Sequence, residues 1–383
     1  KNKKYQYLFF LIILINTLFN GGNSNLIIQT NFIFTSGIFL FCLRDKNYFA
    51  HYKSFTTINK LPLTIYFIFL IYLIFQILPM PLEFLKLFSP HKYSYLKNLN
   101  LDLSFSTISL SPSNSFFIFL NYVSLILVIL MFKMLFYSHR HEMRLCLFLS
   151  ILGFISSVAA LVFYLNGNPD FLIFKNQIYK NSSTGFFINR TVFSVFLLFS
   201  LISCLELLKS FNENKIKSKN DDFFLKIYIR FFLIFITIGI ITSYSRIGNF
   251  LLLITIILYF TDELFIKKNK NKSFLAIILL VIFFDVLILG FYFGASQVID
   301  RFYFLNEELQ AFDQTNNNIS RLEIIKFSFQ QLDNFFIFGY GSGAYEAVFQ
   351  LKFLNTGNMF ANHAHSDLIE FFSEFGIIGV SLF

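Results

Sequence analysis

The chain has 383 residues, of which 56% are hydrophobic, 20% aromatic and only 14% charged, and its mean hydropathy is +0.63. A soluble domain carries about 25% charged residues, and no single core hides this much apolar surface from water, so a cytosolic globular enzyme, a disordered tail and a disulfide scaffold are all excluded. The net charge of +9 comes from 31 Lys+Arg against 22 Asp+Glu; in a chain this apolar the placement of the charges carries the information, and nucleic acid is not read as a partner.

A bilayer core requires about 20 mainly apolar residues per helix. Runs of that kind lie near 5–20, 26–43, 62–80, 115–137, 145–165, 188–208, 224–243, 247–265 and 274–294, and a tenth begins near 367. The fold class read from this pattern is all-α, a polytopic transmembrane helix bundle of about ten spans forming one membrane domain over 1–383. The chain opens on Lys1 without a methionine and stops inside the apolar run Ser381-Leu382-Phe383, which reads as a fragment. Run 26–43 carries Gln29, Thr30, Asn31, Thr35 and Ser36, so neighbours must shield it or it must be partly re-entrant. Cys42, Cys146 and Cys204 lie in or beside apolar runs with no metal or disulfide spacing and read as small buried hydrophobes. Asp285, near the middle of run 274–294, is costly in lipid and must face the bundle interior.

With Lys1–Lys4 placed in the cytoplasm, the inside loops 1–4, 44–60, 138–144, 209–226 and 266–273 hold 18 Lys+Arg and the longer outside segments hold 10. The positive-inside rule predicts that asymmetry. Lys133, Arg190 and Arg230 fall near helix ends, where long side chains snorkel to the interface. The largest non-spanning piece, about 295–366, lies outside the cytoplasmic membrane in this orientation, and chemistry is to be sought there.

Within that loop, Ser320-Arg321-Leu322-Glu323 fits a capping box. Leu322, Ile325, Phe329 and Leu332 follow at helical spacing and predict an amphipathic helix lying on the membrane or on the bundle. Arg321 would occupy the first turn, where a cation opposes the helix dipole and an anionic ligand would offset it; a solvated surface arginine is the alternative. Gly339-Tyr340-Gly341-Ser342-Gly343 lacks the βαβ context of a dinucleotide fingerprint and reads as a tight turn that brings backbone close to another element. Asn362-His363-Ala364-His365-Ser366-Asp367 is the densest polar cluster. Two His with Asp367 or Glu370 could bind a metal, but spacing fixes no third ligand; a neutral imidazole here is suited to act as a general base. Arg246, in the short Thr242-Ser243-Tyr244-Ser245-Arg246 break between two spans, must face a cavity or an anion, or snorkel to headgroups.

Taken in order, these features resemble the O-antigen ligase and polymerase family of membrane glycosyltransferases, over about 185–379. Gly185-Phe186-Phe187-Ile188-Asn189-Arg190 resembles the family's Gly/Phe/Asn motif opening a helix, and Ser243-Tyr244-Ser245-Arg246-Ile247-Gly248 its Ser-Arg-Gly turn. Ser320-Arg321 with Phe338–Gly343 resembles the arginine helix and the glycine-rich turn after it. His365-Ser366, nine residues, then Gly376-Ile377-Ile378-Gly379 is the sharpest match, with Ser366 where many relatives have Asn.

The resemblance implies a GT-C-like glycosyltransferase of the bacterial inner membrane, with its active site facing the periplasm. It would transfer a glycan from undecaprenyl diphosphate to a hydroxyl acceptor: lipid A-core in a ligase, another carrier-linked repeat in a polymerase, or a protein hydroxyl in an oligosaccharyltransferase. His365 would be the catalytic base, and Arg246, Arg321, His363 and Arg190 would bind substrate. The outside loops contain no Asp-x-Asp pair, so an inverting, metal-independent reaction without a cofactor is expected. A membrane transporter is the reading outside the enzyme class, but the internal repeats common there are not seen.

Overall fold

The computed structural model describes residues 3–22, 24–99, 103–169, 180–212, 222–262, 265, 276, 321–353, 361–364 and 366–382. The run near 274–294 with Asp285, the N-cap Ser320 and the base candidate His365 lie outside the described residues. The described residues form fourteen α-helices. They are α1 (Lys3–Leu18), α2 (Asn25–Arg44), α3 (Lys46–Ile58), α4 (Lys60–Ile77), α5 (Leu82–Phe88), α6 (Pro90–Asn98), α7 (Pro112–Leu135), α8 (His139–Leu165), α9 (Arg190–Asn212), α10 (Asp222–Thr242), α11 (Arg246–Thr261), α12 (Arg321–Phe335), α13 (Tyr345–Lys352) and α14 (Asp367–Leu382). One short antiparallel pair, β1 (Met80–Pro81) with β2 (Phe105–Ser106), closes the segment between α4 and α7.

Among the described residues, six helices are long and apolar enough to cross a membrane: α2, α4, α7, α8, Arg190–Phe211 of α9 and Phe224–Thr242 of α10. Each coincides with a run read from the sequence, so the chain is an all-α, multi-pass membrane protein. Helix α2 is continuous over 20 residues. Its buried Thr35 donates to the carbonyls of Asn31 and Phe32 in the preceding turn, which satisfies a hydroxyl without a partner outside the helix. The eighth expected span, 247–265, is shorter, with α11 ending at Thr261 after 16 residues.

The chain divides into two compact units, Lys1–Ile27 with Leu135–Tyr303 and Ile28–Met134 with Phe304–Phe383. In the first, α8, α9 and α10 pack on one another, α11 packs on α9 and α10, and α1 lies against α8. Lipid is as apolar as a leucine side chain, so helices in a membrane associate through close packing of small residues. Helix α8 supplies such a face with Ser150, Gly153, Ser156, Ser157 and Ala160, all buried. Gly153 abuts Ser200 of α9, and a Cβ on Gly239 of α10 would come within 3.0 Å of Ser157 Cβ. The remaining core is aliphatic and aromatic, with Phe193, Leu197, Leu201, Ile229, Leu233, Ile236 and Ile240 at its centre. Cys204 is buried there and Cys42 is buried on α2, both as free thiols like the half-buried Cys146.

In the second unit, α14 packs against α4, α12 and α13. Helix α12 begins at Arg321 as the periodicity predicts, but its buried stripe is Ile324, Phe327, Ser328 and Phe335. Of the residues picked out by spacing, Leu322 is 46% exposed and Phe329 64% exposed. Helix α12 is apolar on two sides, and periodicity alone does not select the side that meets protein.

Candidate active site

In the first unit the candidate residues gather where the N-termini of α9 and α11 meet. Helix α10 ends at Thr242, and α11 starts at Arg246 after only three intervening residues. Tyr244 makes this reversal with φ 49°, a left-handed conformation uncommon outside glycine. Ser245 is the N-cap of α11, its side chain accepting from Gly248 N–H at 3.2 Å, and it donates to Thr191 Oγ1 at 3.3 Å. Thr191 follows Arg190 and Ser245 precedes Arg246, so the two arginines, each the first residue of its helix, flank this hydrogen bond. Both are half-buried. Gly248 is required here, because a Cβ would lie 2.5 Å from Ser194 Cβ.

The segment entering α9 is tied to the same end. Ser183 N donates to Thr242 O at 3.0 Å, and the two side-chain hydroxyls are 2.8 Å apart. Gly185 turns at φ 56° against Ala160, Ser156 and Phe193, and Asn189 Oδ1 accepts from Thr191 N–H at 2.7 Å. The Gly/Phe/Asn segment and the Ser-Arg-Gly turn, about 60 residues apart in sequence, are therefore one structural element. The N-terminal ends of α9 and α11, each opening on an arginine, meet here, and helix N-termini favour an anion.

In the second unit, the glycine-rich turn is interlocked with α14. Helix α14 breaks at Gly376, whose φ 61° and ψ −179° are open essentially to glycine alone. The break deprives the carbonyls of Ser373 and Glu374, and the N–H groups of Ile377 and Ile378, of their partners within the helix. The glycine-rich turn and the residues just before it supply all four. Tyr340 N–H donates to Ser373 O at 3.0 Å and Gly341 N–H to Glu374 O at 3.1 Å, while Ile377 N–H donates to Phe336 O at 2.8 Å and Ile378 N–H to Ile337 O at 3.3 Å.

Helix α4 locks the joint. Tyr72 Oη lies 2.7 Å from the carbonyl oxygens of both Phe338 and Phe375. Gln76 Nε2 donates to Phe338 O and Glu374 O at 2.9 and 3.0 Å, and Gln76 Oε1 accepts from Ser342 N–H at 3.3 Å. Gly339, Gly341 and Gly343 all have positive φ. Gly341 approaches Ser109, Gly343 approaches Ile118, and Ser115 Oγ donates to Ser342 O at 2.6 Å. The turn does bring backbone close to other elements, as its glycines suggest. The carboxyl of buried Glu374 lies by the backbone N–H groups of Gly343 and Tyr345, at the start of α13.

At the mouth of α14, Glu370 holds the polar cluster. Its Oε1 is 2.8 Å from His363 Nδ1 and its Oε2 accepts from Ala364 N–H at 2.8 Å. The carboxylate keeps the exposed His363 imidazole protonated to higher pH than usual. Both oxygens of Glu370 are thus engaged by protein. Elsewhere in the second unit, buried Lys92 on α6 donates to Thr107 O at 2.7 Å and Ser109 O at 2.6 Å, and desolvation lowers its pKa to about 8.

Among the candidates, Arg190 and Arg246 belong to the first unit. Arg321, the first residue of α12, and His363 belong to the second. Sequence reasoning missed the roles of Glu370, Glu374, Tyr72 and Gln76. One signal was available: Tyr72 and Gln76 lie one turn apart on an apolar span, where a polar group must find a partner.

Residues 231–383, which contain the Ser245-Arg246 turn, the glycine-rich turn and the broken helix, match the family model described as O-antigen ligase. No curated protein and no solved structure matches the chain. Over residues 231–383, this all-α multi-pass membrane protein is therefore similar to the O-antigen ligase family.

Proposed function

We propose that the protein is an O-antigen ligase-like glycosyltransferase that moves a glycan from undecaprenyl diphosphate to a hydroxyl of lipid A-core, at the periplasmic face of the inner membrane. Alongside the family match, the observation that carries this reading is the interlock between the glycine-rich turn and the break at Gly376. It makes a single element of the two motifs that flank the histidine cluster.

In this reading Arg246 and Arg321 bind the diphosphate, since guanidinium groups pair bidentately with phosphate oxygens and offset the charge that develops on the leaving group. Arg190, beside Arg246 at the start of α9, adds to the positive field. His365 removes the proton of the acceptor hydroxyl, the hydroxyl oxygen forms the new glycosidic bond with inversion, and the diphosphate departs with the bonding electrons. His363 contributes to substrate binding. The reaction uses no metal, the arginines taking the place of a cation. Transfer in excess chelator is expected to proceed at the untreated rate, and loss of transfer restored by a divalent ion would contradict this part.

The reading is tested by expressing the full-length protein in ligase-deficient cells and analysing their lipopolysaccharide on gels. A glycan ladder on lipid A-core supports ligase activity. Growth of carrier-linked chains without that ladder identifies a polymerase instead, and glycan on protein identifies an oligosaccharyltransferase.

A further inference from the structure

We propose that the groove between α1 and α8 holds one molecule of anionic phospholipid, its phosphate on Arg144 and an acyl chain along the groove. This site is separate from the residues read as binding the glycan donor. Arg144 lies 20 residues before Tyr164 on α8, about 30 Å along the helix, and the Tyr164 hydroxyl is 3.3 Å from that of Tyr244 in the Arg246 turn. The two ends of α8 therefore serve different sites.

Helices α1 and α8 run in the same direction, with Gln6 beside Arg144 and Phe10 stacked on Phe148 at 4.5 Å between ring centroids. The groove between them has a volume of about 440 Å³, within the range of about 300 to 1,000 Å³ typical of ligand pockets. Gln6 and Arg144 form its polar end, and Phe10, Leu14, Phe148 and Ile151 line its length. Helix α8 is long and apolar enough to cross a membrane, and Tyr7 and Leu11 on the rim are 61% and 44% exposed. The groove thus opens on a side where acyl chains are the solvent.

The polar end is held in place. Buried Gln6 donates through Nε2 to Leu135 O at 2.9 Å, and its Oε1 accepts from Arg144 Nη1 at 3.3 Å. A guanidinium carries five N–H donors. Among the described residues Gln6 is the hydrogen-bond partner of this one, which leaves a fork suited to a phosphate. Lys3 and Lys4 at the start of α1 and Arg140 at the start of α8 add positive charge at the same end, and the acidic residue there, Glu142, is 3.9 Å from His139. That charge selects a lipid of net negative charge over a zwitterionic one, as basic pockets between spans do on the cytoplasmic side, the side to which the loop charges assign these helix ends. A free phosphate would leave the apolar length of the groove unfilled.

The sequence contains no tryptophan, so Leu11→Trp places a fluorescent reporter on the rim, and Leu253→Trp places one at an exposed position of α11 as a control. The full-length protein with either reporter is reconstituted in vesicles of phosphatidylglycerol and phosphatidylcholine, one of the two brominated on its acyl chains. Quenching, with the emission of the unsubstituted protein subtracted, gives the relative binding constant. At Leu11→Trp phosphatidylglycerol is expected to bind at least about fivefold more tightly than phosphatidylcholine, and at Leu253→Trp the two are expected to agree within about twofold. Adding Arg144→Ala to Leu11→Trp is expected to bring the two lipids within about twofold of each other. Arg144→Gln, which keeps an N–H donor for Gln6 without the charge, is expected to do the same.

A smaller ratio at Leu11→Trp, or a preference that survives in folded Arg144→Gln, overturns the site. An equal preference at Leu253→Trp overturns it in favour of general enrichment of anionic lipid around the protein. Quenching of Leu11→Trp by neither lipid overturns it in favour of protein covering the groove.

Discussion

Gly339 and Gly376 each occupy the space where the other would carry a side chain. A Cβ built on Gly376 would lie 2.6 Å from Gly339 N, and one built on Gly339 would lie 2.8 Å from Gly376 N. Both residues have positive φ, 68° and 61°. The glycine-rich turn and the broken helix are therefore held by one reciprocal backbone contact, and the glycines of two separate sequence motifs have a single cause.

Alanine at either position is expected to destabilise the second unit by about 2 kcal/mol or more, combining the left-handed strain of an L-residue with a backbone clash. Thermal unfolding in detergent checks this. Gly37 of α2 is the control: a Cβ added there would meet no atom within 4 Å, so Gly37→Ala is expected to be neutral or stabilising by up to about 1 kcal/mol. Equal effects at all three positions would contradict the interlock.

The Tyr72 and Gln76 side chains reach the same joint from α4. Tyr72→Phe is expected to cost about 1 to 2 kcal/mol, the range for removing one partner of a buried hydrogen bond. Gln76→Leu is expected to cost more, because it strips partners from Phe338 O, Glu374 O and Ser342 N–H together. Unfolding midpoints that rank Gln76→Leu below Tyr72→Phe would bear this out; the reverse order would contradict it.

In the first unit, Gly248 of α11 meets Ser194 of α9. Gly248→Ala is expected to loosen this contact and lower the unfolding midpoint, and adding Ser194→Gly is expected to recover part of the loss, because it removes the Cβ that an alanine at 248 would strike. A double variant no more stable than Gly248→Ala would place the defect elsewhere.

The His363–Glu370 pair gives stability a defined pH dependence. Its folded pKa is raised above the ordinary value of about 6.5, so the folded state holds this proton where the unfolded state has released it. The stabilisation is therefore complete below about pH 6.5 and is lost as pH rises through the raised value. The unfolding-midpoint difference between wild type and His363→Gln is expected to shrink as the pH rises above about 6.5. A difference that stays constant or grows over that range would contradict the pairing.

Most of the bundle is legible in the sequence because a membrane span announces itself by length and apolarity. Six such spans recur as helices, from α2 to α10. The side of α12 that meets protein was not legible. Leu322 and Phe329 keep helical spacing as well as Ile324 and Phe327 do, and the choice depends on neighbours about 20 residues away, such as Tyr345 and Phe349. The motif residues Gly185, Arg246, Gly339 and Gly376 were visible one by one; their joining through Ser183–Thr242 and Ser373–Tyr340 depends on long-range backbone bonds that no local pattern encodes. Glu370 could be seen as a carboxylate near two histidines, but whether it would hold a metal or a loop depended on Ala364 N–H, a backbone group that sequence motifs do not display.

The most direct test of the central claim compares lipopolysaccharide from ligase-deficient cells expressing full-length wild type with that from cells expressing His365→Ala at equal membrane levels. The account predicts a glycan ladder on lipid A-core with wild type and none with His365→Ala. Equal ladders from both proteins would contradict the role of His365 as the base, and no ladder from well-inserted wild type would contradict ligase activity itself.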